Sequence, residues 1–168
     1  MSKSCAVVTG GARNIGQAIA LRLQQDGYRV FVLDIESPEA ESLQADAHQV
    51  DLSDINATRR ILQSIADAHA VTCLVNNVGI VRPALLDDTR VEDFDPLMHL
   101  NVRSALVCTQ SLLPSMRRHG QGRIVMNASR VVLGKEARTL YSATKGALQS
   151  MARTWALELA SDGITVNC

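Results

Sequence analysis

The sequence predicts an α/β fold, a doubly wound parallel sheet of about six strands with helices on both faces. Two observations carry this expectation. Short apolar, β-branched runs recur along the 168-residue chain, and between them lie longer segments whose apolar residues repeat with helical period, the alternation that builds βαβ units and parallel strands. A glycine-rich turn, Thr9 to Gly16, also joins the first apolar run directly to the first helical stretch, the connection with which an open parallel sheet seats a ligand at the carboxyl ends of its strands.

In chain order, strands are expected at Cys5 to Thr9, Arg29 to Asp34, Thr72 to Asn76 and Gly122 to Asn127, with edge strands near His48 to Val50 and Ile164 to Asn167. The first helix spans Ile15 to Gln25, with a stripe through Ile15, Ala18, Ile19 and Leu23 ended by Asp26 and Gly27. Asp54 to Ala68 and Pro96 to Arg118 follow, the second interrupted late by Pro114. The helix from Thr139 to Ala160 has two apolar stripes, one through Ala143, Gly146, Ala147, Ser150 and Met151, the other through Leu148, Ala152, Trp155 and Leu159. A helix apolar on two sides needs two partners, its own sheet and either its own domain or a second subunit.

A chain of this length buries one core, so residues 1–168 are expected to form one domain. Seventeen basic residues balance seventeen acidic ones, which leaves no electrostatic footprint for nucleic acid or an anionic membrane surface. No run is long enough for a spanning helix, and the start has neither the charge nor the apolar length of a signal peptide. Cys5, Cys73, Cys108 and Cys168 are widely spaced, and the first three sit in apolar runs, which suggests reduced thiols and a cytoplasmic location. His48, His69, His99 and His119 lack ligand spacing, so no metal is expected.

Three local patterns carry chemistry. In Thr9-Gly10-Gly11-Ala12-Arg13-Asn14-Ile15-Gly16, backbone amides and the positive helix end can meet a pyrophosphate, and the glycines let the main chain approach it. Asp34 ends the second strand roughly 20 residues on, where a carboxylate can take both ribose hydroxyls. Asp51 suits either the adenine amine or a turn and helix-cap role before Asp54. Tyr141 and Lys145 stand four apart at a helix start, so the ammonium can approach the phenol and lower a pKa otherwise near 10. Ser129 follows a strand and would face the same crevice.

Thr9-Gly-Gly-Ala-Arg-Asn-Ile-Gly16, Asn76-Asn-Val-Gly79, Leu100-Asn-Val-Arg103, Asn127-Ala-Ser129, Tyr141-Ser-Ala-Thr-Lys145 and Gly163-Ile-Thr-Val-Asn167 together resemble the ordered signatures of the short-chain dehydrogenase/reductase family. The resemblance runs the length of the chain and implies a Rossmann-type sheet, a nicotinamide cofactor and hydride exchange with an alcohol or ketone substrate. By matching position it makes Tyr141 the acid/base, and has Lys145 lower its pKa and hold the nicotinamide ribose. Ser129 would orient the substrate oxygen and Asn101 would support a proton-relay water near Lys145. Gly10, Arg13, Asn14, Ile15, Gly16, Asp34, Asp51, Asn77, Val78 and Gly79, with Tyr141 and Lys145, would line the cofactor cleft. Asn14 replaces the family's second motif glycine, a change suited to a residue that tolerates left-handed geometry, and Val78 stands where alanine is usual.

Asp34 implies NAD over NADP, since a carboxylate repels a 2′-phosphate. Arg13 argues the other way unless it pairs with Asp34. A homodimer or homotetramer is expected. Family members continue beyond the Thr-Val-Asn strand with a Pro-Gly loop, a substrate lid and a last strand, so the chain reads as incomplete at its C-terminus, binding dinucleotide weakly with little turnover. A cofactor-binding module without turnover is the rival reading, and a methyltransferase of similar topology has no reason to keep Tyr141, Lys145 and Ser129.

Overall fold

A computed structural model of the chain describes residues 4–168. Six parallel strands, β1 (Cys5–Thr9), β2 (Arg29–Asp34), β3 (Ala47–Gln49), β4 (Val71–Asn76), β5 (Gly122–Met126) and β6 (Ile164–Asn167), form one sheet in the order β3-β2-β1-β4-β5-β6. The chain therefore winds outward from β1 to β3, returns beside β1 at β4, and winds outward again. That reversal opens a crevice at the carboxyl ends of β1 and β4.

Period-two alternation sorts the strand residues onto two faces. Ala6, Val8, Val30, Val32, Cys73 and Val75 pack with Ala20 of α1 (Asn14–Gln25) and Leu43 of α2 (Glu41–Gln44). Val7, Leu33, Leu74, Ile124 and Ile164 pack on the other face with Leu62 of α3 (Ile55–Ala68), Leu112 of α5 (Ser104–Arg118) and Leu148 of α6 (Thr139–Leu159). Asp54 caps α3, its side chain accepting from the Asn56 and Ala57 amides at 2.9 and 3.0 Å.

Several details differ from the sequence expectation. The sequence does not suggest the short α2, and β3 runs Ala47–Gln49 rather than His48 to Val50: Gln49 is the last residue paired with β2, opposite Asp34, and the Val50 amide closes that pair on the Asp34 carbonyl at 2.7 Å. β5 ends at Met126, one residue early, where the Asn127 amide turns to the Asn76 carbonyl. The helix expected from Pro96 starts at Phe94 as α4 (Phe94–Met98), widens into a π turn at His99–Arg103, and continues as α5. Pro114 does not interrupt it: Pro114 and Gln110, whose carbonyl loses its partner, are both exposed, so water can meet the freed group.

Candidate active site

A cleft of about 910 Å³ opens at the reversal point, within the size range of small-molecule and cofactor sites. Gly10, Arg13, Asn14, Ile15, Gly16, Asp34, Asp51, Asn77, Val78, Gly79, Ser129, Tyr141 and Lys145 all line it. Residues drawn from six separate stretches of sequence therefore meet in one crevice. Of the expected residues only Asn101 is outside the lining.

The turn after β1 is shaped by what it excludes. Gly10 has φ +64°, and a Cβ there would stand 2.8 Å from the Val78 Cα. A Cβ on Gly16 would fall on the Gly10 carbonyl oxygen, so the start of α1 packs directly on the turn. Asn14 also has a positive φ, 51°, the left-handed geometry its side chain tolerates. The Asp34 carboxylate is fixed from both sides, accepting from the Ala12 amide at 3.0 Å and the Glu36 amide at 3.2 Å. Arg13 does not pair with Asp34: its guanidinium sits 2.9 Å from the Glu36 carboxylate. Asp51 lines the cleft and also accepts from the Ser53 amide at 2.8 Å, so it shapes its own turn while facing the crevice. A close-approach turn beside an anchored carboxylate fits a dinucleotide, with amides for the pyrophosphate and an acceptor for the ribose.

A network at the strand ends joins this cradle to the catalytic candidates. The Thr9 hydroxyl accepts from the Asn77 and Val78 amides at 3.0 and 3.2 Å. Asn77 Nδ2 donates to the Thr9 and Gly10 carbonyls, and Asn127 Nδ2 donates to Asn77 Oδ1 at 2.7 Å. The Asn127 carbonyl in turn accepts from Lys145 Nζ at 2.6 Å. Thr9 and Asn127 belong to the motifs without a role read from them, and the only sequence signal for them is a polar residue closing an apolar strand run.

Lys145 is 3% exposed, and burial pulls its ammonium down from 10.5 to about 8. Its Nζ lies over the Tyr141 ring, 5.5 Å from the centroid. Burial also pushes the Tyr141 phenol above 10, with Arg138 opposing the shift. Ser129 Oγ accepts from the Val131 amide at 3.3 Å, capping the 3₁₀ turn Arg130–Leu133. Asn101 is 1% exposed; its Oδ1 accepts from the Ile80 amide while its Nδ2 donates to the Ile80 carbonyl and to Thr144 Oγ1. Through these bonds Asn101 braces the Gly79–Ile80 strand exit against α6. Gly79 sits in the gap, where a Cβ would stand 3.3 Å from Asn101 Oδ1 and 3.7 Å from Lys145 Nζ.

The depressed Lys145 pKa has a measurable consequence for stability. The folded chain releases this proton near pH 8 and the unfolded chain near pH 10.5, so between those values the unfolded state binds more protons and stability rises with pH. The stability difference between the parent and Lys145→Met should therefore move toward the parent by about 3 kcal/mol from pH 7 to pH 10.5. Parallel urea titrations of both chains across that range check the sign; a flat difference would mean that Lys145 is not held in a charge-disfavouring site.

Comparison with known proteins agrees with the geometry. The family model for short chain dehydrogenases matches residues 4–168. The chain is 33% identical to the hydroxy(phenyl)methylsuccinyl-CoA dehydrogenase subunit BbsD of Thauera aromatica, over 97% of this chain and 70% of that protein. It is also 33% identical to the 3-oxoacyl-acyl-carrier-protein reductase FabG of Staphylococcus aureus, over 99% of this chain and 72% of that one. A solved structure from Beutenbergia cavernae, assigned as an NAD(P)-dependent gluconate 5-dehydrogenase and holding NADP at low occupancy, superposes with a TM-score of 0.87 at 28% identity, covering 98% of this chain and 70% of that one. Matched along its described length by sequence and by fold, the chain belongs to the short-chain dehydrogenase family, NAD(P)-dependent oxidoreductases of alcohol and keto groups.

Proposed function

We propose that residues 1–168 act as one dinucleotide-binding domain in which Tyr141 is the acid/base of the reaction. The observation that carries this reading is that Tyr141 and Lys145 open onto the same cleft as the Gly10–Gly16 turn and Asp34. When bound, the nicotinamide cofactor accepts or delivers the hydride. The chain's own part is to move the proton and hold the reactants. In the reductive direction the Tyr141 hydroxyl donates its proton to the ketone oxygen; in the oxidative direction the phenolate takes the alcohol proton. Lys145 lends its ammonium to that phenolate and to the nicotinamide ribose, and Ser129 orients the substrate oxygen. Asn101 keeps the Gly79–Ile80 segment in register with α6 through Ile80 and Thr144.

For substrate, the relatives point to keto and hydroxy groups on acyl chains, so acetoacetyl thioesters are the first probes and cyclic alcohols the second. Incubating the chain with reduced cofactor and each ketone, or oxidised cofactor and each alcohol, and following nicotinamide absorbance tests the activity. A chain that binds dinucleotide yet turns over none of these would favour the module without turnover.

Asp34 supports NAD over NADP. Its carboxylate is fixed at the end of β2, and Arg13, the cation that would welcome a 2′-phosphate, is engaged by Glu36. NAD is therefore expected to bind more tightly than NADP, and Asp34→Ala to narrow the gap by removing the repelling charge. Calorimetric titration with both cofactors checks this, and tighter NADPH binding by the parent chain would reverse it.

A homodimer or homotetramer is supported by α6. Its Leu148, Ala152 and Leu159 are buried in the subunit, while Ala143 and Ser150 are exposed and Gly146, Ala147 and Met151 half-buried. The stripe from Ala143 to Met151 is thus left for a partner copy, and sedimentation at micromolar concentration tests it. No described helix is long and apolar enough to cross a membrane. The cytoplasmic reading draws support from the buried Cys73 and Cys108, whose thiols burial pushes up to about 11 and about 12.

A further inference from the structure

The start of α6 carries two features that cost stability and that the reading above leaves unused. Ala137 has φ +56°, left-handed geometry that a Cβ disfavours. The next residue, Arg138, sets a guanidinium at the positive end of a 21-residue helix with no acidic residue in its first turn, where the macrodipole favours anions instead. Arg13, Arg29 and Arg117 pair with carboxylates, but among the described residues no carboxylate pairs with Arg138. It is half-buried and donates Nη1 to the Ala137 carbonyl at 2.8 Å.

Several contacts hold this arrangement in place. The Ala84 amide donates to the same Ala137 carbonyl at 3.2 Å, closing a short parallel bridge between Ala84 and Arg138, and the Ser142 amide donates to the Arg138 carbonyl at 2.7 Å as the first bond of the helix. A strained residue fixed by converging bonds beside an active site is where strain is expected to serve function. Tyr141 follows Arg138 by three residues, the spacing at which helix neighbours meet.

We propose that Arg138 is a positioning residue for the reaction, a second cation fixed at the start of α6 that, with the positive helix end, stabilises the Tyr141 phenolate alongside Lys145. This inference rests on the reading of Tyr141 as the acid/base. The electrostatics agree in sign: burial raises the phenol and Arg138 lowers it. The elements packed against α6 carry Asp95 on α4, His99 and Arg103 on the π turn, Arg130 on the 3₁₀ turn Arg130–Leu133, Arg123 on β5 and Asp162 on the closing turn Ala160–Asp162. Lys145 is bound to the Asn127 carbonyl and lies over the ring, 5.5 Å from its centroid.

The chain has two tyrosines, Tyr28 and Tyr141, so Tyr28→Phe leaves one reporter. Ultraviolet difference titration of the tyrosinate in this background, with the double Tyr28→Phe, Tyr141→Phe chain as blank and circular dichroism as the check on folding, reads Tyr141 without any substrate. Arg138→Gln should move the transition to higher pH, Arg138→Lys should return it toward the parent, and added salt should raise the parent midpoint more than that of Arg138→Gln. An unmoved midpoint in folded Arg138→Gln, or equal shifts in the Gln and Lys variants, would overturn the proposal, the second by tracing the effect to the helix start and not to charge. Unimpaired turnover by Tyr141→Phe would overturn the acid/base reading and this inference with it. An inactive Tyr141→Phe with an unmoved titration would remove only the role of Arg138.

Discussion

Tyr141→Phe is expected to lower turnover by about 10² to 10⁴-fold, the range over which a positioned general acid or base acts, while leaving dinucleotide affinity close to that of the parent. The substitution deletes one oxygen and keeps the ring over which Lys145 Nζ lies, 5.5 Å from the centroid. It touches neither the Lys145 contact with the Asn127 carbonyl nor the Asp34 anchor. Loss confined to kcat would mark an interaction made in the transition state and not in binding. Lys145→Ala should damage both, because its ammonium is assigned to phenolate and ribose together. Steady-state kinetics on an active ketone, paired with dinucleotide titration of each variant, separate the cases. Substantial activity in Tyr141→Phe would remove Tyr141 from the proton-transfer step.

The fold was legible because its signals are periodic. The unbroken apolar runs of β1, β2 and β4, buried on both faces of the sheet, and the stripe on α6 are patterns that a sequence displays directly, and parallel strands follow from alternation of the two element types. Boundaries were less so. β3 lies one residue early because its register is set by pairing with β2, where Gln49 stands opposite Asp34 and the Val50 amide meets the Asp34 carbonyl, and no local propensity encodes that choice. The π turn at His99–Arg103 has the composition of an ordinary helix; what widens it lies elsewhere, in the Ile80 backbone and Thr144 that hold Asn101.

At the site, residue types were legible and their partners were not. Spacing placed Tyr141 and Lys145 on one helix face, and the glycine turn and Asp34 on adjoining strand ends. The atom that fixes Lys145 is a main-chain carbonyl, that of Asn127, and a backbone oxygen leaves no mark in the identity of its residue. Arg13 illustrates the same limit: two carboxylates, Asp34 and Glu36, were within reach along the chain, and the choice of Glu36 depends on Asp34 being already bound by the Ala12 and Glu36 amides.

Gly16→Ala is expected to cost about 3 kcal/mol or more of folding stability, the scale of a substitution that forces a packed segment apart, and to abolish measurable dinucleotide binding. The added Cβ would fall on the Gly10 carbonyl oxygen and stand 2.6 Å from Asn77 Nδ2, the first a backbone atom and the second a side-chain tip held by two hydrogen bonds. Relief requires α1 to lift from the turn, which carries the backbone amides away from the pyrophosphate position. It also requires Asn77 to move, and Asn77 Nδ2 bonds the Thr9 and Gly10 carbonyls while its Oδ1 accepts from Asn127. Because Asn127 carries Lys145, the disturbance reaches the catalytic helix through three contacts. Gly146→Ala is the control. Among the described residues of one subunit nothing lies within 4 Å of a Cβ there, and in the middle of α6 the exchange should leave the subunit's own fold neutral or stabilised by up to about 1 kcal/mol. Urea unfolding and NAD titration of both variants read the two effects, and a Gly16→Ala chain that folds and binds like the parent would mean that the turn is free to open and that the cradle is not where the dinucleotide sits.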